Sequence, residues 1–345
     1  MSSSVRFFKK DCGKKENMEK PLITFALMGY QQELFIRKAI EGAFSQTYEP
    51  LEIILSDDCS QDHTYGVMQE MAEAYKGSHK VILNRNERNL GIGGHLNQIA
   101  KLMGGKWIVT AAGDDISLPE RVEESYRVIS ECGELGGVFG RFCNFRGDFF
   151  DNGDWEPAHA SNMRIVRCAH SGRSDLLEIG DIFDIQGCVA MWNKKLFDQF
   201  GLLPIGVLAE DAVLGGRALF SGLGIGFTSS RMVLRRIHET NVCAGKKISV
   251  ASRDIFYSRA VVHHELLDFR RRNPNLYSAE DWRRMVGVFE TALFILIVAV
   301  RKDGLGWVRS VLVFMMGFKL GEPWSAVRFL KAMCRKFFIG QRSGK

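Results

Sequence analysis

The 345-residue chain is 46% hydrophobic and 25% charged with a formal net charge of +6, a composition that excludes disorder over most of its length and suffices for one large core or two smaller ones. Its eight cysteines, at positions 12, 59, 132, 143, 168, 188, 243 and 334, form no C-x-x-C and no close pair, which excludes a zinc module and favours thiols in a reducing compartment. Residues 1–20 contain no apolar stretch long enough for a signal peptide and read as a flexible tail, so a cytoplasmic protein is expected.

From Pro21 onward strand-like and helix-like segments alternate. Leu22 to Met28 is continuously apolar and reads as a buried strand ended by Gly29. Residues 33–45 carry a helical stripe of Leu34, Ile36, Ala39, Ile40, Ala43 and Phe44. A strand at Leu51–Leu55, a helix at His63–Tyr75, a strand at Lys80–Leu83, a helix at His95–Leu102 and a strand at Trp107–Thr110 follow. Repeated units of this length predict a mostly parallel sheet flanked by helices, with ligands bound beyond the carboxyl ends of the strands. Residues 146–162 are rich in Gly, Asp, Phe and Trp and predict an irregular wall. A strand at Gly187–Trp192, a short helix, a helix introduced by Leu208-Ala-Glu-Asp211 and last strands within Gly224–Ile237 complete a unit spanning 21–245.

The remainder, 246–345, reads as a helical, basic extension. Val286–Val300 and Val311–Phe318 are strongly apolar, yet each is shorter than the roughly 20 residues that span a bilayer. A buried helical hairpin and an interfacial attachment both fit. Trp307, Trp324 and seven Lys or Arg between 319 and 345, against the single acid Glu322, suit contact with an anionic membrane surface.

The chemistry concentrates at three strand ends: Gly29-Tyr30, Ser56-Asp57-Asp58 and Gly113-Asp114-Asp115. Two adjacent carboxylates repel unless a cation lies beside them, and magnesium or manganese bound to a phosphate would meet that need. The competing reading has Asp115 or Ser117 capping a helix that opens at Pro119, with Asp114 solvated. The segment Asn89-x-Gly91-x-Gly93-Gly94 does not have the G-x-G-x-x-G spacing of a dinucleotide loop.

Several separately placed motifs, in order, resemble family 2 glycosyltransferases of the GT-A fold, of the kind that builds bacterial surface polysaccharides. They are Gln46-Thr47-Tyr48, the Leu51–Ser60 segment with Asp62, Asn89-Leu-Gly91 with Asn97, Asp114-Asp115 with Leu118-Pro119, and Glu210-Asp211. The resemblance covers residues 21–245 and implies an inverting transfer from a UDP- or dTDP-linked sugar to a glycan or lipid-linked acceptor, with Mg2+ or Mn2+ as cofactor and no nucleic-acid partner. Residue by residue, it implies that Asp57 binds the nucleobase and that Tyr30, Glu33, Asn89 and Asp114 line the nucleotide site, with Arg85 and Arg88 as further candidates. Metal ligation would fall to Asp114, Asp115 and His238. Asp211 would be the base, and Glu210 would orient the acceptor. The chain departs from the family's D-x-D motif at Ala112, which stands where the first Asp belongs. A sugar-nucleotide nucleotidyltransferase would need a basic glycine-rich loop after the first strand, which Met28–Glu33 lacks. A binding or scaffold protein with impaired catalysis would have no use for Asp211.

Overall fold

A computed structural model describes residues 19–147, 163–166, 185–239, 248–283 and 285–287. The chain divides into two compact units, Met1–Gly245 and Lys246–Lys345.

In the first unit the strands are β1 (Ile23–Gly29), β2 (Leu51–Asp57), β3 (Lys80–Arg85), β4 (Trp107–Ala112), β5 (Ile116–Ser117), β6 (Gly137–Phe145), β7 (Met163–Val166), β8 (Ala190–Asn193) and β9 (Ile225–Arg236). The helices are α1 (Ile36–Phe44), α2 (Thr64–Ala74), α3 (Gly91–Leu102), α4 (Arg121–Cys132), α5 (Lys195–Phe200) and α6 (Glu210–Phe220). Among the described residues one sheet runs β3-β2-β1-β4-β8-β6-β9-β5, with β7 also on β9. The pairs β1–β2, β1–β4 and β2–β3 are parallel, while β8 is antiparallel to both neighbours. This mixed, mostly parallel sheet with helical cover is the expected class.

Burial explains why the first strands read as unbroken apolar runs. Ile23, Phe25 and Leu27 of β1, Ile53 and Leu55 of β2, and Val109 of β4 share one core cluster with Ile36 and Ile40 of α1 and Met68 of α2. Alternate residues such as Ala26 and Ile54 are equally buried, as a strand covered on both faces requires. At roughly 25 cal/mol per Å2 of apolar surface, this sheet centre is the main stabilising mass of the unit.

Several boundaries differ from the sequence reading. Helix α3 begins at Gly91, four residues before His95, because the Asp58 carboxylate accepts hydrogen bonds from Leu90 N and Gly91 N at the helix start. No helix opens at Pro119: two residues of strand precede α4, whose N-cap position is Glu120 without a side-chain cap, so neither Asp115 nor Ser117 caps it. Gly187–Val189 forms a single 3-10 turn before β8, and the last strands condense into the one 12-residue strand β9.

In the second unit, α7 (Ile248–Arg272) ends on Arg270, Arg271 and Arg272, cations placed where the helix dipole favours them. Trp282 is buried, lies 4.8 Å from the Tyr277 ring and 6.5 Å from Phe269, and donates its indole N–H to Pro274 O. No helix among the described residues is long and apolar enough to cross a membrane. The apolar run from 288 to 300, the run 311–318, the basic tail and the 148–162 wall lie outside the described residues.

Candidate active site

Parallel register brings the strand ends level. Gly29 pairs Asp57, Asp57 pairs Arg85, and Met28 pairs Ala112. Gly113 N continues the ladder to Met28 O at 2.9 Å, and Asp58 N does so to Gly29 O at 2.9 Å. With strands about 4.8 Å apart, the residues leaving β2 and β4 on either side of β1 are separated by roughly 10 Å. One cleft edge therefore carries carboxylates at two stations.

At the first station Asp57 is fully buried. Its Oδ2 accepts from Ser60 N at 2.9 Å and pairs with Arg85 Nε at 3.3 Å. Its Oδ1 is buried with no hydrogen-bond partner among the described residues. An unpartnered buried carboxylate oxygen costs free energy relative to a hydrogen-bonded one, so a donor, from water or from a ligand, would stabilise this atom. Arg85 is fixed by Ser60 O at 2.9 Å and lies 4.9 Å from the Tyr65 ring.

Asp58, next in sequence, does a different job. Besides the α3 start it accepts from Asn86 Nδ2 at 2.8 Å, and that network continues through Asn84 to Ser56 and the buried His95, 2.6 Å from Ser56 Oγ. Burial pushes the His95 pKa down, with the charges of Asp58 and Asp57 opposing.

The loop after β1 is laced to the loop after β2. Gln31 N, Gln32 N and Glu33 N donate to Ser60, Thr64 and Asp62 side chains at 2.9, 2.8 and 3.1 Å. Gln31 and Cys59 adopt positive φ, 52° and 64°, at the paired turns. Glu33 returns one carboxylate oxygen to His63 N at 2.8 Å, so part of it is committed to this lacing. Tyr30 is exposed, with its hydroxyl accepting from Gln31 Nε2 at 3.3 Å. Asn89 is exposed and folds back on Gly91 N at 2.9 Å.

The second station is Asp114. Its Oδ2 lies 3.0 Å from His238 Nε2, and the His238 ring packs against Phe35 at 4.5 Å. The structure thus joins two residues 124 positions apart. Asp115 is buried and its Oδ1 accepts from Arg236 N at 2.9 Å. Burial, then the neighbouring Asp114 charge, raise its pKa to about 7. One oxygen of Asp115, expected among the metal ligands, is thus committed to backbone. Arg236 is also buried and directs Nε to Asp114 O at 3.3 Å and a second nitrogen to Gly147 O at 2.8 Å.

Arg121, fully buried, donates to Ser117 Oγ, Thr110 O and Ala190 O. Desolvation brings its pKa down to about 10, against the pull of Cys188 and Asp115. Sequence reasoning missed Arg121 and Arg236, since nothing about a lone arginine in a helix or strand distinguishes a buried cation from a solvated one.

The third element of the site is the start of α6. Asp211 is the second helical residue, with Ala209 at the N-cap position, and its carboxylate accepts two backbone bonds. Gly187 N donates to Asp211 Oδ2 at 2.9 Å and Ala212 N to Oδ1 at 2.7 Å. A Cβ at Gly187 would stand 2.6 Å from Glu210 Oε1, so a larger residue there would displace the Glu210 carboxyl. Burial and the Asp211 charge raise the Glu210 pKa to about 8. At neutral pH this favours the protonated form of Glu210, a carboxyl able to donate beside Asp211.

Residues 27–200 match the family model described as glycosyl transferase family 2, just over half of the chain. The chain belongs to glycosyl transferase family 2. Among curated relatives of this family 2 member, an uncharacterized glycosyltransferase of Methanocaldococcus jannaschii is 28% identical over 124 residues, covering 35% of this chain and 42% of the relative. The putative glycosyltransferase EpsE of Bacillus subtilis is 32% identical over 104 residues, covering 30% and 37%. The matched region thus spans less than half the length of either relative. Solved structures extend the likeness of fold: S. aureus TarS 1-349 in complex with UDP-GlcNAc has a TM-score of 0.56 at 16% identity, covering 91% of this chain and 92% of that one. The mannosyltransferase PcManGT from Pyrobaculum calidifontis, in complex with GDP-Man and Mn2+, has a TM-score of 0.55 at 12% identity, covering 94% and 83%.

Among the described residues no cluster of three or more His, Cys, Asp or Glu forms a metal site. The Asp114–His238 pair nevertheless suits a hard cation that takes its other ligands from phosphate and water, since such ions use one or two carboxylates beside substrate oxygens.

Proposed function

We propose that the chain transfers a sugar from a UDP- or dTDP-linked donor to a hydroxyl of a glycan or lipid-linked acceptor, with inversion. The observation that carries this reading is the buried, unpartnered Asp57 Oδ1 at the end of β2. Uracil and thymine offer it an imide N–H, whereas cytosine presents an acceptor at the same ring position. Arg85 and the exposed ring of Tyr30 flank the base, and Asn89 lies toward the ribose. Asp114 and His238 would hold Mg2+ or Mn2+, which would neutralise charge on the departing diphosphate. Arg236, packed under Asp114, and Arg121, beneath Asp115, keep the acidic edge from repelling itself.

Asp211 is the base. Its carboxylate is fixed by Gly187 N and Ala212 N, and it takes the acceptor hydroxyl proton as that oxygen forms its bond to the anomeric carbon. The bond from that carbon to the diphosphate oxygen breaks on the opposite face. Glu210, protonated at neutral pH, donates a hydrogen bond to the acceptor and leaves Asp211 as the charged partner.

The test is Asp211→Asn. Release of UDP from UDP-sugars should fall by a factor on the order of 10^2 to 10^4, while calorimetric UDP affinity stays within a few-fold of the wild type. Full turnover in the variant contradicts the assignment of the base.

A further inference from the structure

The donor seat and the base lie on separate parts of the chain, yet one helix touches both. The start of α3 is bonded to the Asp58 carboxylate through Leu90 N and Gly91 N, and its second turn is bonded to Ser56 through His95. Ser56 and Asp58 flank Asp57, so the helix is anchored to the two residues on either side of the one read as binding the base.

The opposite side of α3 grips the segment that leads into α6. Asn97 clamps Leu203 at both backbone groups: Leu203 N donates to Oδ1 at 2.8 Å, and Nδ2 donates to Leu203 O at 2.9 Å. One turn earlier, Gly93 N donates to Val207 O at 3.1 Å, and a Cβ at Gly93 would meet that oxygen at 2.6 Å. From the far side Arg217, fully buried in α6, donates to Gly201 O at 2.7 Å and Leu202 O at 3.2 Å. The segment 201–209 is therefore held between two helices just before Glu210 and Asp211.

We infer that α3 is a strut that couples nucleotide occupancy at Asp57 to the placement of Asp211, and that Asn97 and Gly93 are its positioning residues. The inference rests on the donor-site reading above. Neither residue touches the reacting atoms; both act by fixing the backbone that carries the base. Ordering the β2 end around a nucleotide tightens the α3 start, and the clamp at Leu203 passes that order to the base-bearing segment. Misplacing a base by an ångström costs about 10- to 100-fold in rate, without a matching loss of donor affinity.

The test uses the full chain and its variants Asn97→Ala and Gly93→Ala, with Val128→Ala in α4 as a core-destabilised control remote from the segment. In the wild type, UDP with Mn2+ should slow amide hydrogen exchange across 201–212. Asn97→Ala and Gly93→Ala should bind UDP within about 3-fold of the wild type, lose that protection, and show kcat for UDP release from UDP-glucose or UDP-N-acetylglucosamine, with water as acceptor, lowered by about 10-fold or more. Val128→Ala should keep both protection and kcat. Gly93→Ala, which favours helix, keeps the test valid if Asn97→Ala fails to fold. Wild type that binds UDP without protecting 201–212, or variants that keep both protection and kcat, overturn the strut alone. Wild type that binds neither UDP nor dTDP overturns the donor-site reading and the strut with it; where dTDP alone binds, the same experiment is run with dTDP and dTDP-glucose.

Discussion

Replacing Asp57 by asparagine should do more than weaken donor binding: it should change which base is preferred. The Oδ2 position accepts from Ser60 N at 2.9 Å and faces the Arg85 guanidinium, whose Nε lies at 3.3 Å, so the amide of an asparagine places its oxygen there. Its NH2 group then occupies the Oδ1 position, where the wild type offers a bare acceptor. The imide N–H of uracil would meet another donor, and a charge-assisted bond worth about 1.5–3 kcal/mol would be lost. At 1.36 kcal/mol per decade that is about 10- to 100-fold in UDP affinity. Cytosine presents an acceptor at the same ring position, so CDP affinity should hold or rise. Titration calorimetry with UDP and CDP on both proteins reads the two effects together. An Asp57→Asn protein that binds UDP as the wild type does, with CDP unchanged, refutes the orientation argued for this carboxylate.

Two further outcomes follow from the buried charges. The Glu210 pKa, raised from 4.5 to about 8, means that between those values the unfolded chain binds fewer protons than the folded one, so this residue makes stability fall as pH rises through that window. Denaturant midpoints measured from pH 5 to 8 should decline less in Glu210→Gln than in the wild type; parallel curves contradict the assignment of a raised pKa. Arg121→Met removes the donor to Ser117 Oγ, Thr110 O and Ala190 O and should cost about 3 kcal/mol or more in urea unfolding, since buried acceptors are left unpaired. A loss under about 1 kcal/mol would mean that those groups find other partners.

The parts of the fold that the sequence displays are those governed by local pattern. Unbroken apolar runs mark β1, β2 and β4 because both faces of these strands are covered, and the polar residues where each run stops mark the cleft edge. What it does not display depends on partners far along the chain. Nothing near Asp115 signals that Arg236 N, 121 residues on, will bond one of its oxygens. The start of α3 is set by Asp58, more than 30 residues earlier, so helical periodicity alone delays it to His95. Asn97 belongs to a motif visible in the sequence, but its grip on Leu203 across 106 residues emerges only from the packing of α3 on the 201–209 segment. Gly187 likewise looks like an ordinary turn glycine until Glu210 Oε1 is found 2.6 Å from where a Cβ would stand.

The most direct measurement is calorimetric titration of UDP, dTDP, GDP and ADP into the wild type and Asp114→Ala, with and without Mn2+. The expected result is selective binding of UDP or dTDP, strengthened by Mn2+ in the wild type and indifferent to it in the variant. Preference for GDP or ADP, or no binding by any of the four, would contradict the assignment of the cleft at Asp57 and Asp114 as a uracil- or thymine-nucleotide donor site.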